Sequence, residues 1–258
     1  MAETVGAQEA SRMLSHASFE ELPALLERFA DDPRKQVQKA LATARRRMER
    51  EQAERDRVLG MYALQQELGG TGVVLGIDEV GRGSIAGPLT VCAVALPAEP
   101  IWGLNDSKQL SPQRREELAC TIAERALAIG IAHIPPESID AVGMATCLRM
   151  AMAQAIEDSG VEPDAVLIDG NPVHVHEREI CVVKGDARIA CIAAASICAK
   201  VCRDELMCQY AEQYPAYHLD QCKGYASAEH IAAIREFGLT PIHRATFCGN
   251  FLETPSLF

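Results

Sequence analysis

Residues 73–83 of the chain read VVLGIDEVGRG. The first five residues are apolar and predict a buried β-strand, because aliphatic and β-branched side chains pack well on a pleated sheet. Asp78 and Glu79 end this run, and the Gly-Arg-Gly that follows lets the backbone approach a ligand closely. A strand that ends in acids indicates a site at the edge of a sheet, although an ordinary strand end with solvated acids is the alternative.

Two further aspartates follow apolar runs in the same way. Asp169 ends Val166-Leu167-Ile168, and Asp186 follows residues 180–183 within Lys184-Gly185-Asp186. Neighbouring strands present their ends along one edge of a sheet, so acids at several strand ends can converge on one point. Clustered carboxylates without His or Cys are the hard oxygen ligands that select Mg²⁺ or Mn²⁺ over zinc. The pattern therefore predicts a site of the kind that hydrolyses phosphodiesters with two metal ions.

The region from residue 71 onward alternates strand and helix patterns, which indicates an α/β fold. Strands are predicted near 73–78, 89–96, 131–134, 165–169 and 180–184, and helices at 112–129, 138–158, 190–213 and 227–237. The first two strands follow one another through a turn that contains glycine and proline. Part of the sheet should therefore be antiparallel.

The residues before this region predict a helical extension. Residues 1–15 are polar and without pattern, and we expect them to be mobile. Ser18 and Glu21 have the spacing of a capping box ahead of apolar residues that repeat at helical intervals up to Phe29. That pattern predicts a short amphipathic helix.

A long basic helix is predicted to follow. Asp32 and Pro33 supply an N-cap and a proline suited to the first helical position, so the helix should run from about 33 to 58. Residues 59–70 should add another helical turn or two. The basic residues concentrated between Arg34 and Arg57 fit either a solvated helix surface or a contact with the DNA backbone.

Composition limits the class of protein. No apolar stretch reaches membrane-spanning length and the N-terminus lacks the pattern of a signal peptide, so we expect a cytoplasmic protein with no membrane partner. The ten cysteines lie singly in apolar runs with no Cys-x-x-Cys, which is typical of buried thiols in a reducing compartment. The formal net charge of −11 argues superficially against nucleic acid, but a carboxylate site faces phosphate with its bound cations.

Six segments together resemble the successive motifs of ribonuclease HII, the bacterial type 2 ribonuclease H. They are GIDEVGRGSIAGPLTVCAVAL (76–96), LNDSKQLS (104–111), VLIDG (166–170), KGDARIACIAAASICAKVCRD (184–204), KGYASAEH (223–230) and GLTPIHRATF (238–247). The resemblance implies a ribonuclease-H-like fold, a mixed five-stranded sheet flanked by helices, in a catalytic domain over 71–250. The helical N-terminal extension then occupies 1–70 and a C-terminal tail 251–258.

This resemblance implies an endonuclease that hydrolyses the RNA strand of RNA–DNA hybrids. It also implies cleavage on the 5′ side of a single ribonucleotide in duplex DNA, leaving 3′-hydroxyl and 5′-phosphate ends, as in ribonucleotide excision during DNA repair and replication. Ribonuclease HIII is the nearest alternative. That family is longer and carries a β-rich N-terminal platform, whereas residues 1–70 of this chain are predicted to be mainly helical. A related transposase, resolvase or repair nuclease would lack the Gly-Arg-Gly and Lys-Gly-Tyr pair, and a non-enzymatic binder would tolerate loss of a carboxylate.

By the same resemblance, Asp78, Glu79, Asp169 and Asp186 are the catalytic carboxylates and hold two divalent ions, either Mg²⁺ or Mn²⁺. Asp204 is a fifth candidate. Because it falls within a predicted helix, we favour a structural or supporting role for it over direct metal binding.

The resemblance also assigns the recognition of a ribose. Gly81, Arg82 and Gly83, together with Tyr225 of the Lys-Gly-Tyr motif, would sense the 2′-hydroxyl that DNA lacks. The alternative for Tyr225 is an anchor in a packing interface.

Phosphate contacts are implied by matched segments rather than by chemistry specific to this chain. They fall on Asn105, Ser107, Lys108, Ser196, Lys200 and Lys223, with Arg244 in a further matching motif. His230 and His243 lie in matched segments too, and we expect both to be structural.

The chain ends in Ser256-Leu257-Phe258, which resembles the end of the peptide that bacterial replication proteins insert into the sliding clamp. Thr254 and Pro255 replace the glutamine and first leucine of that motif. A disordered tail is the alternative.

Overall fold

The computed structural model describes residues 5–252. The chain divides into two compact units, Met1–Leu59 and Gly60–Phe258. The prediction for the C-terminal tail lies outside the described residues. No helix in the described part of the chain is both long and apolar enough to cross a membrane.

The first unit is helical, with α1 (Ala7–His16), α2 (Leu22–Arg28) and the greater part of α3 (Lys35–Gly69). The capping box ahead of α2 is confirmed, because the Ser18 backbone nitrogen donates to Glu21 Oε2 at 2.9 Å and Ser18 Oγ accepts from the Glu21 nitrogen at 3.3 Å. The prediction that residues 1–15 are without pattern is wrong from Ala7 onward, where α1 begins. Ala10 and Leu14, one helical turn apart, are buried in the apolar cluster of this unit.

The predicted break near residue 58 is also wrong, because α3 continues without interruption to Gly69. Gly60 lies in the helix interior with nothing within 4 Å of a Cβ built there. A glycine inside a helix costs only about 1 kcal/mol relative to alanine, which the rest of a long helix readily offsets.

Four arginines of the basic stretch form hydrogen bonds or ion pairs within the first unit. Arg34 Nε donates to Asp32 Oδ1 at 2.8 Å, and Arg47 donates to the carbonyl oxygens of Leu14 and Ala17 at 3.1 and 2.8 Å. Arg55 and Arg57 pair with nearby glutamates. These contacts favour a structural role for those four side chains.

The second unit contains the predicted mixed sheet. Its strands are β1 (Val74–Val80), β2 (Leu89–Ala95), β3 (Ala128–Ile134), β4 (Ala165–Asp169) and β5 (Glu179–Val182), in the order β3-β2-β1-β4-β5. The β1–β2 and β2–β3 pairs are antiparallel, whereas the β1–β4 and β4–β5 pairs are parallel. The antiparallel pairing of the first two strands is confirmed.

The helices of this unit are α4 (Pro112–Arg125), α5 (Pro136–Val142), α6 (Met144–Asp158), α7 (Ala190–Gln213), α8 (Leu219–Cys222), α9 (Ala228–Phe237) and α10 (Ala245–Leu252). The helix predicted over 138–158 is in fact α5 and α6, because Gly143 adopts a positive φ of 81° between them. The helix predicted to 129 ends at Arg125, and β3 begins three residues later.

Helices α7 and α6 cover opposite faces of the sheet, each packing with alternate residues of β1 and β2. The contacts are close: a Cβ on Gly76 of β1 would lie 2.2 Å from the Cys191 carbonyl carbon, and one on Gly130 of β3 would lie 1.9 Å from the Ala155 carbonyl oxygen. The Cys191 backbone nitrogen donates to Gln65 Oε1 at 2.9 Å. The start of α7 is therefore fixed against β1, the strand that carries Asp78 and Glu79.

The cysteines form no disulfide. Five of them are buried, while Cys120 and Cys208 are exposed. The expectation of buried thiols is therefore confirmed for half of the set.

Candidate active site

Three aspartates from different elements converge at one edge of the sheet. Each of Asp78, Asp169 and Asp186 offers a carboxylate oxygen, and these atoms all lie within 4.8 Å of one another. Parallel pairing of Ile77 with Ile168 places Asp78 beside Asp169. The predicted convergence of these three carboxylates at one edge of the sheet is therefore confirmed.

Asp186 reaches this group by a local turn rather than from a strand end. It lies in a short 3₁₀ turn, Gly185–Ala187, that follows β5, and Lys184 before it has a left-handed φ of 56°. The Gly185 backbone nitrogen donates to Asp169 Oδ1 at 2.6 Å. The turn is thereby tied directly to one of the acids that it faces.

Glu79 lies at the margin of the group. Successive residues of a strand point to opposite faces, so Glu79 cannot accompany Asp78 directly. Its carboxylate pairs with Arg82 at 3.4 Å, and burial raises its pKa, with a further rise from Asp169 and an opposing effect of Arg82.

The cluster is electrostatically strained without a cation. Burial raises the pKa of Asp78 to about 8, Ser196 opposes this by a hydrogen bond, and the Glu79 and Asp169 carboxylates raise the pKa further. Burial likewise raises the pKa of Asp186, with Asp106 and Asp169 adding to the effect. Closely spaced carboxylates disfavour their charged forms unless a positive charge lies among them. An all-oxygen set of this kind fits a hard divalent metal ion.

A loop carries one lysine to this group. Asp106 Oδ1 accepts from the Lys108 backbone nitrogen at 2.9 Å and so caps a 3₁₀ turn over Ser107–Gln109. Lys108 Nζ lies 3.6 Å from Asp186 Oδ2, although 78% of its side chain is exposed. Asn105 accepts from the Asp106 backbone nitrogen, which stiffens the loop.

The two serines expected to contact phosphate are buried. Ser107 Oγ and Ser196 Oγ lie 2.9 Å apart between this loop and α7, and Ser196 also hydrogen-bonds to Asp78. Their hydroxyls orient protein groups, and little of either is open to a substrate.

The remaining basic candidates differ in their surroundings. Lys200 Nζ lies 2.7 Å from Asp204 Oδ1, and Arg115 approaches the other oxygen of Asp204 at 3.8 Å. Asp204 is therefore engaged in two ion pairs, and the supporting role that we favour for it stays a prediction. Lys223 Nζ donates to the exposed Cys208 Sγ at 2.9 Å.

Arg244 is fully buried and does not face a substrate, contrary to its assignment as a phosphate contact. Its guanidinium donates to the Gly87 carbonyl oxygen at 2.9 and 3.1 Å and to the Arg82 carbonyl oxygen at 3.1 Å. Burial lowers its pKa to about 10. The side chain holds the backbone of the Gly-Arg-Gly turn from beneath.

The two segments expected to read a ribose are adjacent. The backbone nitrogens of Ile85 and Ala86 donate to the Gly224 carbonyl oxygen at 2.9 and 3.1 Å. Arg82 and Gly83 are exposed, and 39% of Tyr225 is accessible. We call residues 81–83 together with 223–225 the paired turns.

Arg203 joins the paired turns and was not singled out from the sequence. It is fully buried, and its guanidinium donates to the carbonyl oxygens of Pro88, Ala86 and Lys223 and to Ser84 Oγ, at 2.8–3.0 Å. Its Cζ lies 5.6 Å from the centre of the Tyr225 ring. The available signal was a second charged residue, after Lys200, close behind the largely apolar stretch 190–199 that opens α7.

Comparison with known proteins agrees with this architecture. The family model described as Ribonuclease HII matches residues 75–250, and the model of the Ribonuclease HII N-terminal domain matches residues 7–69. Ribonuclease HII of Lactobacillus delbrueckii subsp. bulgaricus is 43% identical over 227 residues, which cover 87% of this chain and 89% of that protein. Ribonuclease HII of Thermotoga maritima is 46% identical over 176 residues, or 68% and 73% of the two chains.

A solved structure shows the same likeness in three dimensions. A chain from the structure of the PCNA:RNase HII complex from Archaeoglobus fulgidus superposes with a TM-score of 0.58 at 27% identity, over 67% of this chain and 94% of that chain.

The mixed sheet and the acids at the ends of β1 and β4 define a hydrolase of the ribonuclease-H-like class. Within that class, the chain belongs to the ribonuclease HII family. It is an endoribonuclease that cleaves the RNA strand of RNA–DNA hybrids.

Proposed function

We propose that the chain also cuts duplex DNA on the 5′ side of a single embedded ribonucleotide, leaving a 3′-hydroxyl and a 5′-phosphate. The observation that carries this proposal is the convergence of Asp78, Asp169 and Asp186 in the same unit as two adjacent turns, each of which is partly exposed to solvent. The aspartate cluster would supply the hydrolytic chemistry, and the two turns could recognise a single sugar.

Asp78, Asp169 and Asp186, with Glu79 at the margin, would hold two divalent ions, Mg²⁺ or Mn²⁺. When bound, such a pair supplies an activated water and stabilises the leaving oxygen of an in-line displacement. The Ser196 hydroxyl orients Asp78, and the Gly185 backbone nitrogen orients Asp169. These contacts hold the carboxylates in place before a substrate arrives, which limits reorganisation during the reaction.

Lys108 is the basic side chain best placed to contact the phosphate. Its ammonium lies beside Asp186 yet is mostly exposed, so it can turn towards a backbone oxygen at little cost. Asn105 and Lys223 would contact neighbouring phosphates, which fixes the register of the duplex without reading bases. Lys200 is held by Asp204 and contributes less directly.

The paired turns would recognise the ribose. Gly83 has nothing within 4 Å of a Cβ built on it, so its backbone is open to close approach. Backbone groups of Gly81, Arg82 and Gly83 can meet a 2′-hydroxyl, which both donates and accepts hydrogen bonds. The Tyr225 ring offers a flat face against the adjoining sugar.

A duplex with one ribonucleotide in an otherwise DNA strand tests the proposal, with the all-DNA duplex as control. With Mg²⁺ or Mn²⁺, we expect one cut that leaves the ribonucleotide at the 5′ end of the downstream fragment. The all-DNA duplex should stay intact, and excess chelator should abolish the cut. A 2′,3′-cyclic phosphate, or cleavage that survives chelation, would contradict the metal-assisted mechanism.

We also propose weak docking of the C-terminal residues Ser256, Leu257 and Phe258 on a sliding clamp. The support is the likeness to the ribonuclease HII of the PCNA complex, together with the two apolar side chains that end the chain. Burial of Leu257 and Phe258 would supply roughly 3–6 kcal/mol before ordering costs, which suits binding in the micromolar range. Titration of a labelled 249–258 peptide against the clamp tests it, and an affinity unchanged when both residues become Ala would refute it.

A further inference from the structure

Two buried histidines lie in line between the backbone of Thr240 and the backbone of Tyr225. His243 Nδ1 lies 3.0 Å from the Thr240 nitrogen, and the Nε2 atoms of His243 and His230 lie 3.1 Å apart. His230 Nδ1 lies 2.9 Å from the Tyr225 carbonyl oxygen. Both rings are almost completely buried. We call this arrangement the imidazole chain.

The backbone groups at the two ends fix the proton on each ring. A backbone N–H can only donate, so His243 Nδ1 carries a lone pair and its proton lies on Nε2. That proton points at His230 Nε2, which must therefore accept. The proton of His230 then lies on Nδ1 and is donated to the Tyr225 carbonyl, which can only accept. Both rings are neutral in this arrangement, because a second proton on either ring would place two N–H donors facing each other.

The contact with Tyr225 falls on a turn whose exposed end depends on a few hydrogen bonds. Lys223 and Gly224 adopt left-handed φ angles of 51° and 80°, and the Tyr225 ring is more than one-third exposed. The Tyr225 carbonyl accepts from the Ser227 nitrogen at 2.8 Å and from His230. The direction of the ring therefore depends on the hydrogen bonds of its backbone, together with the Arg203 guanidinium, which lies 5.6 Å from the ring centre.

We propose that His230 and His243 are positioning residues that hold Tyr225 in place for ribose recognition. This inference rests on the proposed recognition of a ribose by Tyr225. Both imidazoles are buried, so their effect on Tyr225 passes through the hydrogen bond from His230 Nδ1 to the Tyr225 carbonyl oxygen. His243 keeps the proton of His230 on Nδ1, because the Nε2–H of His243 requires a lone pair at His230 Nε2.

Two substitutions of His230 separate this role from a general structural one. His230→Asn places an amide N–H near the Nδ1 position and can still donate to Tyr225, but it no longer reaches His243. His230→Gln places its polar atoms near Nε2 and keeps that contact, but it cannot reach the Tyr225 carbonyl. We expect His230→Gln to lower kcat on a single-ribonucleotide duplex roughly tenfold, since small misplacements of a positioning group are costly, and His230→Asn to lower it less than about threefold.

The Michaelis constant and the affinity for all-DNA duplex should change less than about twofold in both variants, because phosphate contacts are untouched. Ile234→Ala, at a buried position of the same helix α9, is the control for reduced stability. Its melting temperature should fall at least as far as that of His230→Gln, while its kcat should stay close to that of the unmodified chain.

A double-mutant cycle completes the test. In a Tyr225→Ala background the His230→Gln change should have no further effect on kcat, because its route of action is gone. Equal losses for His230→Asn and His230→Gln, additive losses in the cycle, or a loss that follows stability in the Ile234→Ala control would each overturn the inference. Failure of the unmodified chain to cut at a ribonucleotide would instead refute the proposed function, and this inference with it.

Discussion

A Cβ on Gly81 would lie 2.2 Å from Nε of Arg203, so the first glycine of the Gly-Arg-Gly turn rests directly on a buried guanidinium. Gly81 also has a positive φ of 83°, which a larger residue adopts only with strain. The protein itself therefore requires a glycine at this position. Gly83, two residues later, is under neither constraint.

Substitution of these two glycines by alanine should separate folding from recognition. We expect Gly81→Ala to destabilise the fold by roughly 2–4 kcal/mol and to abolish most cleavage, because both φ and Arg203 must adjust. Gly83→Ala should change stability by less than about 0.5 kcal/mol. Thermal melts and cleavage of a single-ribonucleotide duplex provide the two measurements. A loss of cleavage by Gly83→Ala without loss of stability would locate close approach of the sugar at Gly83, and equal destabilisation by both changes would contradict this account.

Replacement of one carboxylate should improve stability while removing activity. Asp78→Asn keeps the shape of the side chain and is neutral in both the folded and the unfolded chain. Burial and neighbouring carboxylates raise the pKa of Asp78 to about 8, so folding at neutral pH requires the carboxyl itself to take up a proton. In chelator at neutral pH we expect a gain of about 1–2 kcal/mol in unfolding free energy, and a loss of cleavage of roughly 10³-fold or more.

The metal dependence of the melting temperature gives an independent check on Asp78. The unmodified chain should melt at higher temperature as divalent ion is added, because the folded state alone holds the cluster. Asp78→Asn should show a much smaller rise, whereas the exposed control Glu157→Gln should behave as the unmodified chain does. A melting temperature of the unmodified chain that is indifferent to divalent ions would argue against metal binding by this cluster.

Tyr225→Ala should reduce turnover on a single-ribonucleotide duplex much more than it reduces affinity for that duplex. In the proposed function the ring aligns one sugar beside the acids, while phosphate contacts supply most of the affinity. Single-turnover rates and binding to the ribonucleotide-containing duplex in Ca²⁺ measure the two quantities separately. Parallel losses in rate and affinity would identify Tyr225 as an anchor and not an aligning residue.

The sheet and the acid cluster could be predicted from sequence because each depends on local pattern. The apolar runs of β1 and β4 are followed by Asp78 and Asp169, and parallel neighbours bring these positions together, although β1 itself continues to Val80. Asp186 lies with the other two aspartates, as the sequence predicts, but for a different reason. A 3₁₀ turn, and not the end of a strand, places it there.

The layer beneath the paired turns could not be predicted in the same way. Arg203 and Arg244 resemble ordinary basic residues in sequence, and one was expected to face phosphate. Arg203 donates to the carbonyl oxygen of Pro88, and Arg244 donates to those of Gly87 and Arg82. Each of these acceptors lies more than a hundred positions away in sequence, and backbone carbonyls have no sequence signature. The same holds for the imidazole chain, whose ends are both backbone groups.

Acid should weaken the fold through the imidazole chain. Burial lowers the pKa of His243 from 6.5 to about 4, with His230 adding to the effect, and burial also lowers the pKa of His230. The unfolded chain therefore binds more protons than the folded chain between pH 6.5 and 4, so this contribution is complete above 6.5 and is lost as pH falls towards 4. The side chains that face the two rings include the Thr240 hydroxyl, the Tyr217 ring, Cys222 Sγ and His218, and none of these four carries a carboxylate.

Denaturant melts of the unmodified chain and of His243→Gln at several pH values isolate this contribution, because glutamine does not titrate in that range. We expect the stability of the unmodified chain relative to the variant to decrease steadily from pH 7 to pH 4. The melts should be made in chelator, so that protonation of the acid cluster is common to both proteins. A difference that is constant with pH, or that grows as pH falls, would show that the rings are not held neutral.

Removal of the first unit should leave a folded catalytic unit that binds DNA less tightly and with weaker salt dependence. A chain that starts at Gly60 keeps Met61 in its apolar core, and it keeps Gln65, which caps α7. For every phosphate that the protein no longer neutralises, the slope of log K against log salt should fall in magnitude by about 0.9.

Substitutions in the full-length chain test the same DNA contact without a truncation. Arg45→Gln with Arg46→Gln should reduce the salt slope without loss of stability, since both side chains are exposed. Arg47→Gln, which breaks hydrogen bonds to Leu14 and Ala17, should instead destabilise the first unit. An unchanged slope in both the truncated chain and the double variant would show that the extension serves packing or another partner, and not the DNA backbone.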